Sequence, residues 1–90
     1  MSERYEIVFT NDARKDLDRL PAHVQRRILH WADLLAENPR RTGTRQLEGH
    51  PGLRRVHASK DYVILYTIED ARLTILIVSA CHRRDVYRGL

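Results

Sequence analysis

The sequence predicts an α+β fold: an N-terminal strand, an antiparallel hairpin of two helices, then a mainly antiparallel sheet of three further strands. Three observations lead there. Apolar residues alternate near the N-terminus, recur at helical spacing from Ala13 to Leu35, and form nearly continuous runs after Asp61. A helix pair with one apolar stripe each needs a sheet to bury it, and the later runs supply one.

The elements follow in order. Tyr5, Ile7 and Phe9 alternate with Glu6, Val8 and Thr10, as in a strand with one face better buried. Thr10, Asn11 and Asp12 offer side-chain oxygens that cap a helix start, where acidic residues also favour the positive end of the helix dipole. Ala13, Leu17 and Leu20 then carry a short first helix, and Pro21 interrupts it and suits the start of the next. In the second helix Val24, Ile28, Trp31 and Leu35 form the stripe, widened by Leu34, until Pro39 ends the pattern. From Arg40 to Pro51 the chain is polar, with Gly43, Gly49 and Pro51 as turn formers, and is expected to be a long loop. Strands resume at about Leu53. Asp61–Ile68 and Leu73–Ala80 are rich in Val, Ile, Leu and Tyr, with Glu69-Asp70-Ala71-Arg72 as the hairpin turn between them. Both are apolar on their two faces, as expected of central strands. The last ten residues are polar and are expected to form a short tail or helical turn.

Ninety residues suit one domain, 1–90, since a second core could not be buried in so short a chain. No apolar run approaches the roughly 18–20 residues that span a bilayer. The charged stretch Met1–Tyr5 lacks the apolar core of a secretory signal, and Cys81 stands alone, without a partner for an internal disulfide. These features point to a cytoplasmic protein. The net charge of +4 is unevenly placed. Between Asn38 and Lys60, Arg40, Arg41, Arg45, Arg54, Arg55 and Lys60 face Glu48 alone, a net of +5. In the last ten residues Arg83, Arg84 and Arg88 face Asp85, a net of +2, so the rest of the chain is slightly acidic. If folding brings the two segments together, they make a basic surface suited to phosphates. The histidines are scattered without metal-site spacing, and there is no glycine-rich phosphate loop with its lysine. No metal or other cofactor is expected.

Several local phrases then fall in a recognisable order: Phe9-Thr10-Asn11-Asp12-Ala13 with Leu17 and Leu20, Asn38-Pro39-Arg40, Gln46-Leu47-Glu48-Gly49, Arg54-Arg55-Val56, Asp61-Tyr62 leading to Leu65-Tyr66, and His82-Arg83-Arg84-Asp85-Val86-Tyr87. In this order the chain resembles the RelE/ParE superfamily of bacterial type II toxins over almost its full length. The resemblance implies a toxin neutralised by a cognate antitoxin. RelE-like members are ribosome-dependent mRNA endonucleases; ParE-like members instead poison DNA gyrase.

A metal-free ribonuclease must deprotonate a ribose 2′-hydroxyl, stabilise charge on the phosphorus centre and protonate the leaving 5′-oxygen. Arginine suits the second task, and histidine or a tyrosine in a positive field suits the proton steps. The resemblance assigns Arg83 and Tyr87 to phosphate stabilisation and to base orientation or proton transfer, with Arg84 as a substitute for Arg83. It matches Arg54 to a basic residue lining the same groove, with Arg55 on the opposite pleat, and puts His57 and Lys60 where catalytic groups cluster. Arg40, Arg41, Arg45, Arg55, Lys60, Arg84 and Arg88 are the expected RNA-binding residues. The chain departs from the nuclease pattern at Ala58 and Val63, where efficient RelE-like enzymes usually carry arginine. That keeps open two other readings: a gyrase inhibitor, and a weak toxin that mainly binds its antitoxin. Tyr66 and Trp31 are expected in the core, and His82 in a structural role.

Overall fold

A computed structural model describes residues 3–88, so Met1, Ser2 and the last two residues of the tail lie outside it. Its elements are β1 (Glu6–Phe9), α1 (Asn11–Asp18), α2 (Ala22–Glu37), β2 (Thr44–Gln46), β3 (Arg54–His57), β4 (Tyr62–Glu69) and β5 (Thr74–His82). Single 3-10 turns at Asp70–Arg72 and Arg83–Asp85 follow β4 and β5. The strands form one sheet in the order β1-β5-β4-β3-β2, antiparallel except for the β1–β5 pair. The α+β architecture with its helix hairpin is therefore as the sequence predicts. One element differs: the expected loop from Arg40 to Pro51 contains β2, a three-residue strand paired to β3.

The helices cover one face of the sheet. Val24, Ile28 and Leu35 of α2 and Ala13 of α1 are buried against Val56, Ile64, Tyr66, Ile75, Ile77 and Ala80, with Trp31 partly buried at the edge. Thr10 caps α1 as expected, its hydroxyl accepting from the Ala13 amide at 3.1 Å. Pro21 occupies the cap position of α2. Tyr66 is fully buried and donates its hydroxyl to the Pro39 carbonyl at 2.7 Å, fixing the chain where it leaves α2.

A bulge explains how β1 gives way to α1. Leu65 pairs with Ser79 but Tyr66 pairs with Ile77, so Val78 is extra on β5. Pairing of β1 ends at the same point, Phe9 opposite Ile77. Beyond it, α1 takes the place of a strand: the Asp16 carboxylate accepts from the Ala80 amide at 3.2 Å and from the Ser79 hydroxyl at 3.3 Å. A side chain thus satisfies backbone that the short edge strand leaves unpaired.

The other face of the sheet carries a smaller apolar cluster. Leu47, Val63, Leu65 and Val86 are buried there, with Leu53, Val78 and Cys81 packed around them. Burial pushes the Cys81 thiol above its ordinary pKa, so it stays protonated as a small apolar filler. His82 ends β5 and accepts the Arg84 amide on Nδ1 at 3.2 Å, starting the 3-10 turn that carries Val86 back onto this face.

Two substitutions test this framework by denaturant unfolding. Ile28→Ala, which empties the centre of the helix-side core, is expected to lose about 2–5 kcal/mol. Asp16→Ala, which strands the buried Ala80 amide, is expected to lose about 1–3 kcal/mol, whereas Asp18→Ala on the exposed side of α1 stays within about 0.5 kcal/mol.

Candidate nucleic-acid interface

Period-two alternation along β3 divides its basic residues. Val56 faces the helices, so Arg54, two residues away, leaves the sheet on that same side, and Arg55 and His57 leave it on the other. On the open face β2 contributes Arg45, directly opposite Arg55 in the antiparallel register. Tyr87 arrives from the C-terminal segment, held down by the buried Val86, and Arg45, Gln46, Glu48, Arg55 and Tyr87 together line a cleft of about 340 Å³. Tyr87 remains 55% exposed. His50, in the turn between β2 and β3, stands beside it with ring centroids 6.0 Å apart and planes tilted by 40°.

The electrostatics of this cleft are unusual for a purely structural surface. Like charges directly opposite on a β-ladder repel. Among the described residues, the ion pairs engage Arg4, Arg40, Arg72, Arg83 and Arg88, and neither Arg45 nor Arg55 is within pairing distance of a carboxylate. Two guanidiniums facing one another, with Glu48 in the same cleft but no carboxylate among the described residues within ion-pairing distance of either, leave a net positive charge that suits an external anion, and each can grip two oxygens of a phosphate.

The other sequence-derived candidates are dispersed. Arg54 is not in the cleft: on the helix side it donates to the Thr44 hydroxyl at 2.9 Å, and its buried Nε has no partner among the described residues. The expectation that Arg54 lines a groove with Tyr87 is corrected to Arg55 by the direction of Val56, a signal already present in the Arg54-Arg55-Val56 pattern. Arg83 opens the 3-10 turn at the sheet end, where its amide donates to the Asp61 carbonyl at 2.7 Å and its Nε lies 3.6 Å from the Asp61 carboxylate. His57 is exposed at the end of β3 nearest that turn, and Lys60 is exposed in the following loop. Arg84 is exposed within the turn, and Arg88 pairs with Asp85 at 3.5 Å. Arg41 lies over the Trp31 ring on the helix side, 5.8 Å from its centroid.

Arg40 is spent elsewhere. Both its terminal nitrogens bind the Asp70 carboxylate, at 3.1 and 2.9 Å, and the Tyr5 hydroxyl donates to the same group at 2.7 Å. The Arg40 hydrogen bonds, then that of Tyr5, hold Asp70 down to a pKa of about 2, while the Tyr5 phenol is raised by the same contact. A larger cleft of about 570 Å³ lies beside this cluster, lined by Glu3, Tyr5, Glu37, Asn38 and Arg40 among others. Its lining is acidic on balance, with Glu3 and Glu37 against an Arg40 already paired to Asp70, and so does not suit a phosphate. Among the described residues, no three His, Cys, Asp or Glu side chains are gathered so as to hold a metal ion.

The two departures from the nuclease pattern are both buried. Ala58 is fully enclosed on the helix side, with Arg27 of α2 donating to its carbonyl at 3.2 Å, and Val63 lies under the C-terminal segment with Val86. Gln46 and Glu48 entered the sequence analysis without a site role, and His50 did not enter it by name. Only the Gly49-His50-Pro51-Gly52 turn hinted that His50 would be held in a fixed place.

This arrangement of elements is shared. The profile describing the ParE toxin of type II toxin-antitoxin systems (parDE) matches residues 7–87. The chain belongs to the RelE/ParE superfamily of type II toxins. It is 35% identical over 88 residues to toxin RelG of Mycobacterium tuberculosis, covering 93% of this chain and 97% of that one. The toxin superposes on a chain of the RelBE2 toxin-antitoxin complex of the same organism with a TM-score of 0.79 and 30% identity, over 91% and 94% of the two chains. With the archaeal RelE-RelB complex of Pyrococcus horikoshii the TM-score is 0.75 at 27% identity, over 89% and 96%. No helix among the toxin's described residues is long and apolar enough to cross a membrane.

The unbalanced arginine pair makes a prediction about stability. Arg45→Glu places opposite charges across the β2–β3 ladder and is expected to raise stability by about 0.2–1 kcal/mol in thermal unfolding at low salt. An unchanged or lower stability would mean that the wild-type pair carries no repulsion.

Proposed function

We propose that the toxin is a metal-independent, ribosome-dependent mRNA endoribonuclease that acts in the cytoplasm as a single domain and is neutralised by a cognate antitoxin. The observation carrying this reading is the Arg45–Arg55 pair, facing across the ladder without a salt bridge among the described residues and adjoining an exposed tyrosine in a cleft of net positive charge. Support for the antitoxin comes from relatives: the M. tuberculosis and P. horikoshii structures are complexes of toxin with antitoxin.

In this reading the 2′-hydroxyl gives its proton to a base at the site, its oxygen attacks the adjacent phosphorus, and the bond to the 5′-oxygen breaks as that oxygen takes up a proton, leaving a 2′,3′-cyclic phosphate and a 5′-hydroxyl. Arg45 and Arg55 hold the non-bridging oxygens and stabilise the charge that builds there. Tyr87 orients the neighbouring base or carries a proton. His57, on the same face as Arg55, and Arg83 at the sheet end extend the site along the strand direction, with Lys60, Arg84 and Arg88 binding flanking RNA and ribosomal phosphates. Arg54, on the helix side, supports the strand that presents Arg55. Arg40 and Arg41 hold the loop that precedes β2.

A second reading, inhibition of DNA gyrase by binding alone, draws on the buried Ala58 and Val63, where efficient nucleases carry arginine. Programmed ribosomes with a defined message separate the two. The expected outcome is cleaved message with cyclic-phosphate ends, and a rate loss on the order of 10² for Arg55→Ala. Intact message, together with inhibited supercoiling by purified gyrase, would overturn the nuclease reading.

A further inference from the structure

We propose that His50 and Tyr87 form a two-ring platform on which an unpaired nucleobase stacks beside the phosphate seated on Arg45 and Arg55. The proposal rests on the RNA-directed reading above and adds His50 as a positioning and specificity-determining residue.

Three observations carry it. The backbone of His50 is hydrogen-bonded on both sides, its amide to the Leu47 carbonyl at 3.1 Å and its carbonyl to the Leu53 amide at 3.1 Å. The Leu47 amide closes the same turn on the Leu53 carbonyl at 2.7 Å. Gly49 and Gly52 flank it at φ values of 80° and 87°, a left-handed conformation that other residues adopt only with strain. Pro51 restricts the backbone of His50 further. The turn therefore holds the backbone of His50 in a set place, which lowers the entropic cost of ordering its side chain when a ligand arrives.

The second observation is the ring pair itself. Its 6.0 Å separation is within the range of aromatic contact, with the planes tilted by 40°. The third is exposure. Tyr87 is among the few large apolar side chains left in solvent, at 55%, although it follows the buried Val86 directly. A ring held out beside an imidazole and two cations has the makings of a single-strand binding surface, in which bases stack on aromatic or histidine rings while arginines take the backbone. Stacking needs only the flat face of the ring, so the proposal assigns His50 no proton transfer.

The test uses the purified toxin on ribosomes programmed with a message carrying 2-aminopurine in the exposed codon and a 2′-O-methyl group on the scissile ribose. Stacking of the fluorescent base quenches it. Wild type and His50→Phe are expected to bind and quench alike. His50→Ala and His50→Gln, which remove the ring, are expected to bind roughly tenfold more weakly or worse, with quenching reduced. Cleavage of the unmodified message should follow the same order, and melting temperatures identify any variant that fails to fold. Full binding and quenching by both ring-less variants would overturn the proposal, as would His50→Phe losing as much as His50→Ala. Absence of any wild-type binding or cleavage would instead remove the RNA reading on which it stands.

Discussion

Along β3, consecutive side chains leave the sheet in opposite directions, and this two-residue period decides which of Arg54–His57 meet the helices and which meet solvent. Val56 is committed to the helix side because Ile28, Leu35 and Tyr66 need a partner there. Once Val56 is fixed, Arg55 and His57 have no choice of face, and a slip of one residue would bury both charges at the helix interface. The placement of these basic side chains is in this sense a by-product of core packing. The same register sets Arg45 opposite Arg55, which no sequence-local preference favours.

The second apolar cluster is what turns an arginine-bearing face into a cleft. Val86 sits with Leu47, Val63 and Leu65 and draws the C-terminal segment across the sheet, delivering Tyr87 to the arginines. Val63 is one of the two positions where efficient nucleases of this superfamily usually carry arginine. In this chain it contributes to anchoring the segment that bears Tyr87. Arg83, held by Asp61 at the end of the sheet, lies outside the residues that line the cleft. The unpaired arginines of the cleft therefore lie at the β2–β3 ladder.

Much of the fold was legible because large apolar stripes dictate it. Val24, Ile28 and Leu35 lie where their helical spacing predicts, Thr10 caps α1, and Tyr66 is in the core. The strand β2 was not legible. Thr44-Arg45-Gln46 is polar throughout, with neither of its flanking glycines inside it, and becomes a strand only because β3 offers it a hydrogen-bonding edge. Charge clustering drew attention to the Asn38–Lys60 segment but could not sort its members. Arg40 is drawn to Asp70, Arg41 to Trp31 and Arg54 to Thr44, each by a neighbour distant in sequence or across the sheet. His50 escaped notice because nothing in a lone histidine signals the ring it will meet, 37 positions later in the chain, at Tyr87. Asp16 and its hold on β5 are equally silent in the sequence, since they follow from a bulge.

The central claim is that Arg45 and Arg55 together, and not Arg54, form the anion seat of this toxin. It is tested most directly by following arginine Nε–Hε resonances by NMR while inorganic phosphate replaces chloride at constant ionic strength. The account predicts that the Arg45 and Arg55 signals shift together along one saturable curve while those of Arg54 and Arg40 stay in place. Saturable shifts at Arg54 with none at Arg55, or weak and unsaturable drift of all the arginines alike, would contradict it.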